Sequence, residues 1–343
     1  MSERVRVGIV GFGFMGRTHM RAYQRAACEG YACAVVGVAD NALRSFDDVD
    51  NSSGNLETGE AVFDFKGVSL TNDAHALIGD ESIDLVSICT HTDTHVDLAI
   101  AALNAGKHVL VEKPIAIKPE DVGRLADAAA GSDRVCMPAM CMRYWPAWVK
   151  LHEFITSRRY GVVRSAEFHR LGSRPTWAAE FYADEARSGG ALYDLHIHDT
   201  DFIVHCFGVP DAVSTSGDGL HLSTIYHYDH QQGQGPVHVL AQGAWDHQPS
   251  VGFRMRCTIV CEGATLDFDI SRDPQLVVHT GDDSEPVEVD DLSGYDGEVR
   301  AVLEKITGHG DQATTMHDAA VVAGVLECER VSMLDRRTVA IGG

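Results

Sequence analysis

Three residues combine types and spacing that suit proton and hydride chemistry. Lys113 follows the apolar run at 108–112, and Asp194 and His198 lie four residues apart after a pair of glycines. An imidazole exchanges a proton near neutral pH, a carboxylate can orient it, and an ammonium group stabilises a developing alkoxide. Together they predict a catalytic set that oxidises an alcohol or, in reverse, reduces a ketone.

Asp194 and His198 fall in a segment, 189–207, whose apolar spacing and preceding glycines predict a helix. Residues four apart share a helical face, so the two side chains converge, whereas His196 points roughly 200° away from Asp194. One alternative is an exposed polar pair without a chemical role. Another is a metal site, for which a strand would suit the available ligands better: Asp194, His196, His198, Asp199 and Asp201. Because a helix is predicted, no metal is expected.

A second pattern, at the start of the chain, is typical of dinucleotide binding. An apolar strand at 5–10 leads into a glycine-rich turn made of Gly11, Phe12, Gly13, Phe14, Met15 and Gly16. In such a turn the first glycine permits the tight bend, the second lets a pyrophosphate approach the backbone, and the third lets helix and strand pack closely. The helix that follows presents free N–H groups and a positive dipole end to the phosphates.

Asp40 ends the second predicted strand and bears on the choice of cofactor. A carboxylate there accepts hydrogen bonds from the adenosine ribose hydroxyls and repels a 2′-phosphate, which predicts NAD rather than NADP. Arg44 is close enough in sequence to stabilise a 2′-phosphate, so NADP stays an alternative. The other interpretation of Asp40 is a solvated residue that caps a turn.

The elements around these residues predict a doubly wound parallel sheet, the Rossmann arrangement, over residues 1–138. Strands and helices alternate there, with strands at 5–10, 34–39, 83–89 and 108–112 and helices at 15–28, 94–105 and 119–130. Lys113 stands at the carboxyl end of the last strand, where open α/β sheets bind ligands. His91 and His95, at the start of a helix, are interpreted as cofactor-side or capping residues. A polar, turn-rich stretch at 45–67 predicts a surface loop.

Residues 139–343 follow a different pattern and predict a second domain, in which helices accompany a mostly antiparallel sheet. Its strands are predicted at 162–171, 222–230, 236–247, 253–261 and 264–270, and its helices at 145–156, 189–207 and 315–333. The predicted fold class is therefore α/β for the first domain and α+β for the second.

The composition narrows the classes of function. The net charge of −22 argues against nucleic-acid binding, and no apolar run has the length of a membrane span, so neither partner is expected. Nine cysteines without paired spacing are typical of reduced thiols. The first strand also begins too early to leave room for a signal peptide, so a cytoplasmic protein is expected.

With these residues in this order, the chain resembles the Gfo/Idh/MocA family, the group of glucose–fructose oxidoreductase and inositol dehydrogenase. The resemblance covers nearly the whole length. It is carried by the glycine turn, His95, the triplet Glu112-Lys113-Pro114 and the stretch from Gly189 to His198. It implies that Lys113, Asp194 and His198 form the catalytic set, with His198 as the proton acceptor.

The same resemblance implies an open sheet in the second domain that mediates homodimers or homotetramers, and substrates that are sugars, polyols, inositols or their keto forms. The residues placed on the cofactor side, besides the turn and Asp40, are Thr90, His91, His95, Glu112 and Lys113. The chain departs from the family where Thr90-His91-Thr92 replaces Thr-Pro-Asn, which puts the nicotinamide-side loop in question.

A second departure lies at Cys141-Met142-Arg143-Tyr144, which replaces an Asn-x-Arg pattern although Arg143 matches its arginine. Arg143 and Trp177 are the candidates for holding a hydroxylated substrate, the first by hydrogen bonds and the second by stacking. A role in the core or on the surface is the alternative for both.

The leading hypothesis is an NAD(P)-dependent oxidoreductase that acts on a CH–OH group of a sugar, polyol or inositol. A redox-assisted glycosidase, in which tightly held NAD oxidises the sugar transiently, is an alternative that predicts no net cofactor turnover. A cofactor-sensing regulator with an inactive site is another. The presence of Lys113, Asp194 and His198 together argues against the regulator, because a sensor needs no acid–base set.

Overall fold

The structure is a computed structural model that describes residues 4–49, 63–176, 178–229, 235–310 and 313–342. Its contacts divide the chain into two compact units. The first comprises Met1–Tyr144 and Ser293–Ala320, and the second comprises Trp145–Leu292 and Val321–Gly343. This division differs from the predicted domains 1–138 and 139–343, because a later segment of the chain returns to the first unit.

The helices of the described residues are, in chain order, α1 Phe14–Cys28, α2 Ala74–Ile78, α3 His95–Asn104, α4 Pro119–Ala130, α5 Pro146–Thr156, α6 Ala179–Ala183, α7 Glu185–Ser188, α8 Ile197–Phe207, α9 Gly294–Thr307 and α10 Met316–Asp335. None of these helices combines the length and the apolar character that crossing a membrane needs.

The first unit is built on a six-stranded parallel sheet, which confirms the predicted doubly wound arrangement. Its strands are β1 Val5–Val10, β2 Cys33–Ala39, β3 Ser69–Thr71, β4 Leu85–Ile88, β5 His108–Glu112 and β6 Cys136–Ala139. They lie in the order β3-β2-β1-β4-β5-β6. The order reverses between β1 and β4, and such a switch point is where open α/β sheets bind ligands.

The core of the first unit explains why α9 belongs to it. Central strands are covered on both faces, so residues such as Ile9 and Leu110 are fully buried. Helix α9 adds Val299, Val302 and Leu303 to the same hydrophobic core. The sequence did not predict α9, and nothing local in its pattern tells which sheet its apolar face covers.

Two strands of the first unit also went unpredicted, for local reasons. Strand β3 has three residues, too few to show a period. Strand β6 contains Pro138, which lacks a backbone N–H and is tolerated because β6 lies at the edge of the sheet.

The second unit contains a nine-stranded sheet, and its mostly antiparallel pairing confirms the prediction for this half. The strands are β7 Val163–Leu171, β8 Ala212–Gly217, β9 His221–His227, β10 His238–Ala244, β11 Arg254–Cys261, β12 Thr265–Asp269, β13 Leu276–Thr280, β14 Asp283–Pro286 and β15 Val339–Ala340. Their order is β14-β13-β12-β11-β7-β10-β9-β8-β15, and β7 and β10 pair in parallel.

Aromatic packing joins helices and sheet within the second unit. Trp148 of α5 is fully buried, and the centroid of its ring lies 4.6 Å from the centroid of the Phe202 ring of α8. It also contacts Phe168 of β7 at 6.0 Å and Phe268 of β12 at 5.6 Å. Such offset and edge-on contacts hold α5 and α8 on one face of the sheet.

The polar stretch 45–67 lies largely outside the described residues, so a loop there stays a prediction. Its described ends carry three phenylalanines whose rings contact Phe12 of the glycine turn at 6.0–6.4 Å: Phe46, Phe63 and Phe65. The ends of this stretch are therefore packed against the turn by apolar contacts that a polar composition did not predict.

Candidate active site

The glycine turn follows β1 at the carboxyl edge of the first unit's sheet, and each glycine has its own structural reason. Gly11 has a φ of +85°, and a Cβ atom there would lie 2.7 Å from the Cys89 carbonyl oxygen. At Gly16 a Cβ atom would lie 2.0 Å from the Gly11 carbonyl oxygen, so α1 packs this closely only without one. Nothing lies within 4 Å of a Cβ position at Gly13, which leaves open space suited to a pyrophosphate.

The beginning of α1 suits an anion as well. Gly13 is the N-cap, and the first turn contains no acidic residue that would compete with a phosphate. The helix dipole and the free N–H groups of that turn are therefore directed at the open space. Phe12 is buried in the aromatic contacts described above, so its ring supports the turn from behind.

Asp40 is bonded to the glycine turn. Its Oδ2 accepts a hydrogen bond from the Phe12 N–H at 2.7 Å, and its Oδ1 accepts from the N–H groups of Ala42 and Leu43 at 2.8 and 3.0 Å. The turn-capping interpretation is thus seen in the structure. It leaves room for the cofactor interpretation, because a carboxylate oxygen with one bond keeps a lone pair for a ribose hydroxyl.

Lys113 follows β5 directly and is joined to Pro114 by a cis peptide bond. Its backbone N–H donates to Oε2 of Glu112 at 3.1 Å. Glu112 is buried, and its Oε1 lies 2.9 Å from Nε2 of His19. The backbone of Lys113 is therefore held by a carboxylate on the interior side, while the residue itself is half-buried.

His95 connects the cis-proline turn with the loop after β4. Its Nδ1 lies 2.9 Å from the Pro114 carbonyl oxygen and its Nε2 lies 3.0 Å from that of Thr90. Burial lowers the pKa of His95, so the neutral ring donates to one of these oxygens at a time. His91 is exposed and is the N-cap of the 3₁₀ turn Thr92–Thr94, yet its side chain makes no capping hydrogen bond. A cofactor contact for either histidine stays a prediction.

Sequence reasoning missed His19 and Glu298, which surround Glu112. His19 Nδ1 lies 2.8 Å from Ser87 Oγ, and its Nε2 lies 3.5 Å from Glu298 Oε1. A signal for His19 existed, since a titratable ring three residues after the last glycine falls on the buried face of α1. Glu298 gave no such signal, because only the packing of α9 brings it here.

In the second unit, Asp194 and His198 lie on an irregular helix. Gly189 and Gly190 both have positive φ, and a Cβ atom on Gly190 would lie 2.7 Å from the Gly219 carbonyl oxygen. They lead into a π-helical turn, Leu192–His196, that continues as α8. The helix predicted at 189–207 is therefore confirmed from Leu192 to Phe207, with its first turn π-helical. π turns occur often at functional sites.

Asp194 lies in the π turn and His198 in the first turn of α8, and both residues are half-buried. Four residues span about one turn in such a segment, which is compatible with the predicted common face. Their catalytic roles stay predictions.

His196 points into the interior of the second unit, as its angle predicted. It is fully buried, with Nε2 2.9 Å from Glu329 Oε2 and 3.1 Å from the Tyr226 hydroxyl. Across the described ranges, no set of three His, Cys, Asp or Glu side chains spaced to share a metal ion includes a residue of the 194–201 stretch.

Only one of the two residues predicted to contact a substrate lies in the described part of the chain. Arg143 lies in the 3₁₀ helix Cys141–Tyr144, and its guanidinium is 3.2 Å from Oδ1 of Asp318. This ion pair is a contact within the first unit, where 9% of the Arg143 side chain is exposed, and a hydrogen bond from Arg143 to a substrate stays a prediction. Trp177 lies outside the described residues, so stacking on a substrate stays a prediction.

Two family models match the chain in sequence order. The model described as "Oxidoreductase family, NAD-binding Rossmann fold" of the GFO/IDH/MocA group matches residues 5–140. The model described as "GFO/IDH/MocA C-terminal domain" matches residues 148–267. The first match contains the glycine turn and Lys113, and the second contains Asp194 and His198.

Curated proteins are similar to the chain over part of their length. Levoglucosan dehydrogenase of Pseudarthrobacter phenanthrenivorans is 27% identical over 62% of this chain and 53% of its own length. Myo-inositol 2-dehydrogenase of Thermotoga maritima is 28% identical over 60% of this chain and 55% of its own. The chain thus spans about half the length of the curated relatives it matches.

Solved structures are similar over the whole chain. A structure described as "Levoglucosan dehydrogenase, complex with NADH and levoglucosan" superposes with a TM-score of 0.81, and the match covers 99% of this chain and 100% of the other. The sequence identity is 19%, so this likeness establishes the fold.

Proposed function

Because the chain belongs to the GFO/IDH/MocA family of oxidoreductases with an NAD-binding Rossmann fold, we propose that it is a hydride-transferring dehydrogenase. Its substrate is the secondary alcohol or the ketone of a sugar, a polyol or an inositol-like molecule. The observation that supports this proposal most is the arrangement at the carboxyl edge of the parallel sheet. The glycine turn, which leaves open space for a pyrophosphate, follows β1 there, and Lys113 follows β5.

In this proposal, residues of the first unit hold NAD. The pyrophosphate occupies the open space at Gly13 against the N-terminus of α1, and Asp40 accepts a hydrogen bond from the adenosine ribose. The bound nicotinamide accepts or donates the hydride. Arg44 is exposed and donates to the Asn41 carbonyl oxygen at 2.9 Å, so it can turn towards a 2′-phosphate and NADP is the second choice.

Lys113 stabilises the reacting oxygen of the substrate. As the hydroxyl proton leaves, negative charge develops on this oxygen, and an ammonium group already in place favours it. The lysine backbone is fixed by Glu112, and the Pro114 carbonyl oxygen that follows contacts His95. The side chain therefore starts from a defined position, which reduces the reorganisation needed at the moment of reaction.

His198 takes the hydroxyl proton during oxidation and returns it during reduction. Its imidazole suits this exchange, because a ring nitrogen can accept a proton and release it again, and the residue is half-buried, with access to solvent for the released proton. Asp194, four residues earlier, orients the ring or contacts the substrate hydroxyl. His196 between them is fully buried and takes no part.

The substrate class is proposed from the relatives. Two of them are named for levoglucosan and for myo-inositol, both of which are rings with several hydroxyl groups. Cyclic sugars and inositols are therefore the first compounds to test. Assembly into homodimers or homotetramers, which the resemblance to the family implies, stays a proposal.

A spectrophotometric screen tests the proposal. Purified protein, first checked for bound nucleotide, is mixed with NAD or NADP and a panel of sugars, inositols and sugar acids. We expect reduced nicotinamide to accumulate with one substrate group, faster with NAD. Cleavage of a nitrophenyl glycoside without net reduction would instead indicate a redox-assisted glycosidase, and cofactor binding without either activity would indicate a regulator.

Replacing the lysine gives the largest expected loss of activity. Lys113→Met should lower kcat/KM by about 10²-fold or more, because it removes the charge that stabilises the reacting oxygen. Binding of NAD, followed by fluorescence, should change little. Lys118→Met is the control, since Lys118 is exposed at the N-cap of α4. Near-normal kcat in Lys113→Met would remove this residue from the mechanism.

A further inference from the structure

A cluster of three ionisable side chains lies in the interior of the first unit, next to the Lys113 backbone. His19 comes from α1, Glu112 from the end of β5 and Glu298 from α9, and they are 0%, 4% and 0% exposed. His19 Nε2 lies 2.9 Å from Glu112 Oε1 and 3.5 Å from Glu298 Oε1. A cofactor contact of Glu112, which stays a prediction, does not explain why His19 and Glu298 are buried against it.

One hydrogen bond connects the cluster to Lys113. Glu112 accepts the Lys113 N–H on Oε2 and the imidazole of His19 on Oε1, so both of its oxygens are engaged. The other ring nitrogen of His19 is 2.8 Å from Ser87 Oγ of β4, which fixes the ring. A change in the bond between His19 and Glu112 therefore reaches the Lys113 backbone directly.

The charges of the cluster must nearly balance, because all three side chains are buried. Two ionised carboxylates beside a neutral imidazole would place two negative charges in the interior, which is strongly unfavourable. Protonated His19, ionised Glu112 and neutral Glu298 give a net charge of zero. The contacts agree, since among the described residues neither oxygen of Glu298 has a hydrogen-bond partner, an environment that disfavours an anion.

The directions of the pKa shifts support this assignment. Burial raises the pKa of Glu298 to about 7. Desolvation lowers the pKa of His19, but Cys89 and the carboxylates of Glu112 and Glu298 raise it more, so it lies well above its usual value. Glu298 therefore changes charge near neutral pH while His19 stays protonated.

We propose that His19, Glu112 and Glu298 form a proton-sharing cluster that fixes the position of Lys113, and that Glu298 is its variable member. The inference rests on the proposed function only in treating Lys113 as catalytic. While Glu298 is neutral, the Nε2–H group of His19 donates its hydrogen bond to Glu112. Once Glu298 ionises, it competes with Glu112 for that proton. The hydrogen bond between His19 and Glu112 then becomes weaker, and the backbone of Lys113 is held less firmly. Glu298 is thus a positioning residue.

Other titratable groups also face Glu298. Those that face it are His19 from α1, Glu112 at the end of β5, Lys113 after β5, Cys89 after β4 and Tyr144 from the 3₁₀ helix. Burial raises the pKa of Tyr144 to about 12, so Tyr144 stays neutral near pH 7. Burial also raises the pKa of the Cys89 thiol, whereas the neighbouring His19 lowers it, so the charge of Cys89 is linked to that of His19. On α9 itself, Asp296 is paired with Arg25.

Hydrogen exchange tests the proposal without a substrate. The exchange of the Lys113 amide, read from peptides by mass spectrometry and corrected for its intrinsic pH dependence, is compared at about pH 6 and about pH 8. We expect protection in the unaltered protein to fall several-fold at the higher pH. Glu298→Gln, which cannot ionise, should keep the same protection at both. Glu304→Gln is the matched control on α9, where Glu304 accepts from the Tyr31 hydroxyl, and should behave as the unaltered protein.

Turnover gives a second test once a substrate is known. The kcat of the unaltered protein should fall above about pH 7, and the profile of Glu298→Gln should lack that fall while its KM for NAD is unchanged. A uniform loss of kcat at every pH would indicate a merely structural role and overturn the proposal. Because the exchange experiment needs no turnover, its outcome stands even where the dehydrogenase proposal fails.

Three further outcomes are decisive. Persistence of the pH-dependent exchange in Glu298→Gln would overturn the proposal, and so would a stoichiometric metal ion whose removal changes the protection of Lys113. Where Glu298→Gln does not fold, His19→Gln takes its place, since it removes the shared proton. It should make the Lys113 amide exchange fast at both pH values, and exchange as in the unaltered protein would contradict the proposal.

Discussion

Both units bury a histidine beside a glutamate, and the surroundings of the two glutamates differ. His196 and Glu329 in the second unit, like His19 and Glu298 in the first, are fully buried. Three hydroxyl groups donate to the Glu329 carboxylate at 3.0–3.1 Å: those of Thr200, Thr224 and Tyr226. Within the described part of the chain, neither oxygen of Glu298 has a hydrogen-bond partner.

The difference shows how the hydrogen-bond donors around a buried glutamate determine whether it serves as a fixed structural support or can change charge. Protein hydroxyls that replace lost water stabilise a buried carboxylate, whereas burial without donors favours its neutral form. The Glu329 network ties β9 to the helix that follows the π turn, and it is satisfied on both oxygens. We therefore expect the Glu329 network to hold Asp194 and His198 in place, while the Glu298 cluster responds to pH.

Matched substitutions of the two glutamates should differ most in stability. Glu329→Gln turns an amide N–H₂ towards hydroxyl donors and should lower the free energy of unfolding by about 2–4 kcal/mol. Glu298→Gln replaces a neutral carboxyl group by one of the same shape and should cost about 1 kcal/mol or less at pH 6. Urea unfolding followed by fluorescence measures both. Equal losses of unfolding free energy in the two variants would contradict the proposed difference between the two glutamates.

The second-largest difference between the Glu298 and Glu329 clusters should lie in the pH dependence of the free energy of unfolding. The folded pKa of Glu298, about 7, lies above its usual value of 4.5, so the folded protein holds this proton more tightly. Its contribution to stability is complete below about pH 4.5 and is lost as the pH rises through about 7. Relative to Glu298→Gln, the unaltered protein should lose about 1–3 kcal/mol between about pH 5 and pH 8. A constant difference between the two would show that Glu298 does not titrate there.

The smallest effect concerns one hydroxyl of the satisfied network. Thr200→Val keeps the shape of the side chain but removes a donor to Glu329, and should cost about 1 kcal/mol at every pH. Thr258→Val, at a half-buried position of β11, is the control and should be nearly neutral. A pH-dependent cost of Thr200→Val would mean that removing one donor turns the support into a titrating site.

The parts of the site that the sequence predicts are those whose physics is local. A glycine turn between a strand and a helix is recognisable because Gly11 and Gly16 each exclude a Cβ atom through neighbours close in the fold. Lys113 is recognisable because an apolar strand ends directly before it. The order and pairing of β1, β4 and β5 then follow from the doubly wound arrangement.

The parts that it did not predict depend on contacts between distant segments. The π turn requires an extra residue within Leu192–His196, and helical periodicity over 189–207 does not reveal where it falls. His19 and Glu298 meet only because α9 packs beside α1, and two ionisable residues on separate helices carry no mark of a shared proton. The ion pair of Arg143 with Asp318 is of the same kind.

The return of α9 to the first unit has a consequence for biosynthesis. A ribosome makes β1 to β6 first, then β7 to β14 of the second unit, and only afterwards Val299, Val302 and Leu303, which fill the first core. Until α9 emerges, the apolar surface it covers is open in the nascent chain, where chaperones and aggregation compete for it. The segment that completes the amino-terminal unit is therefore among the last to be synthesised, and so is Glu298.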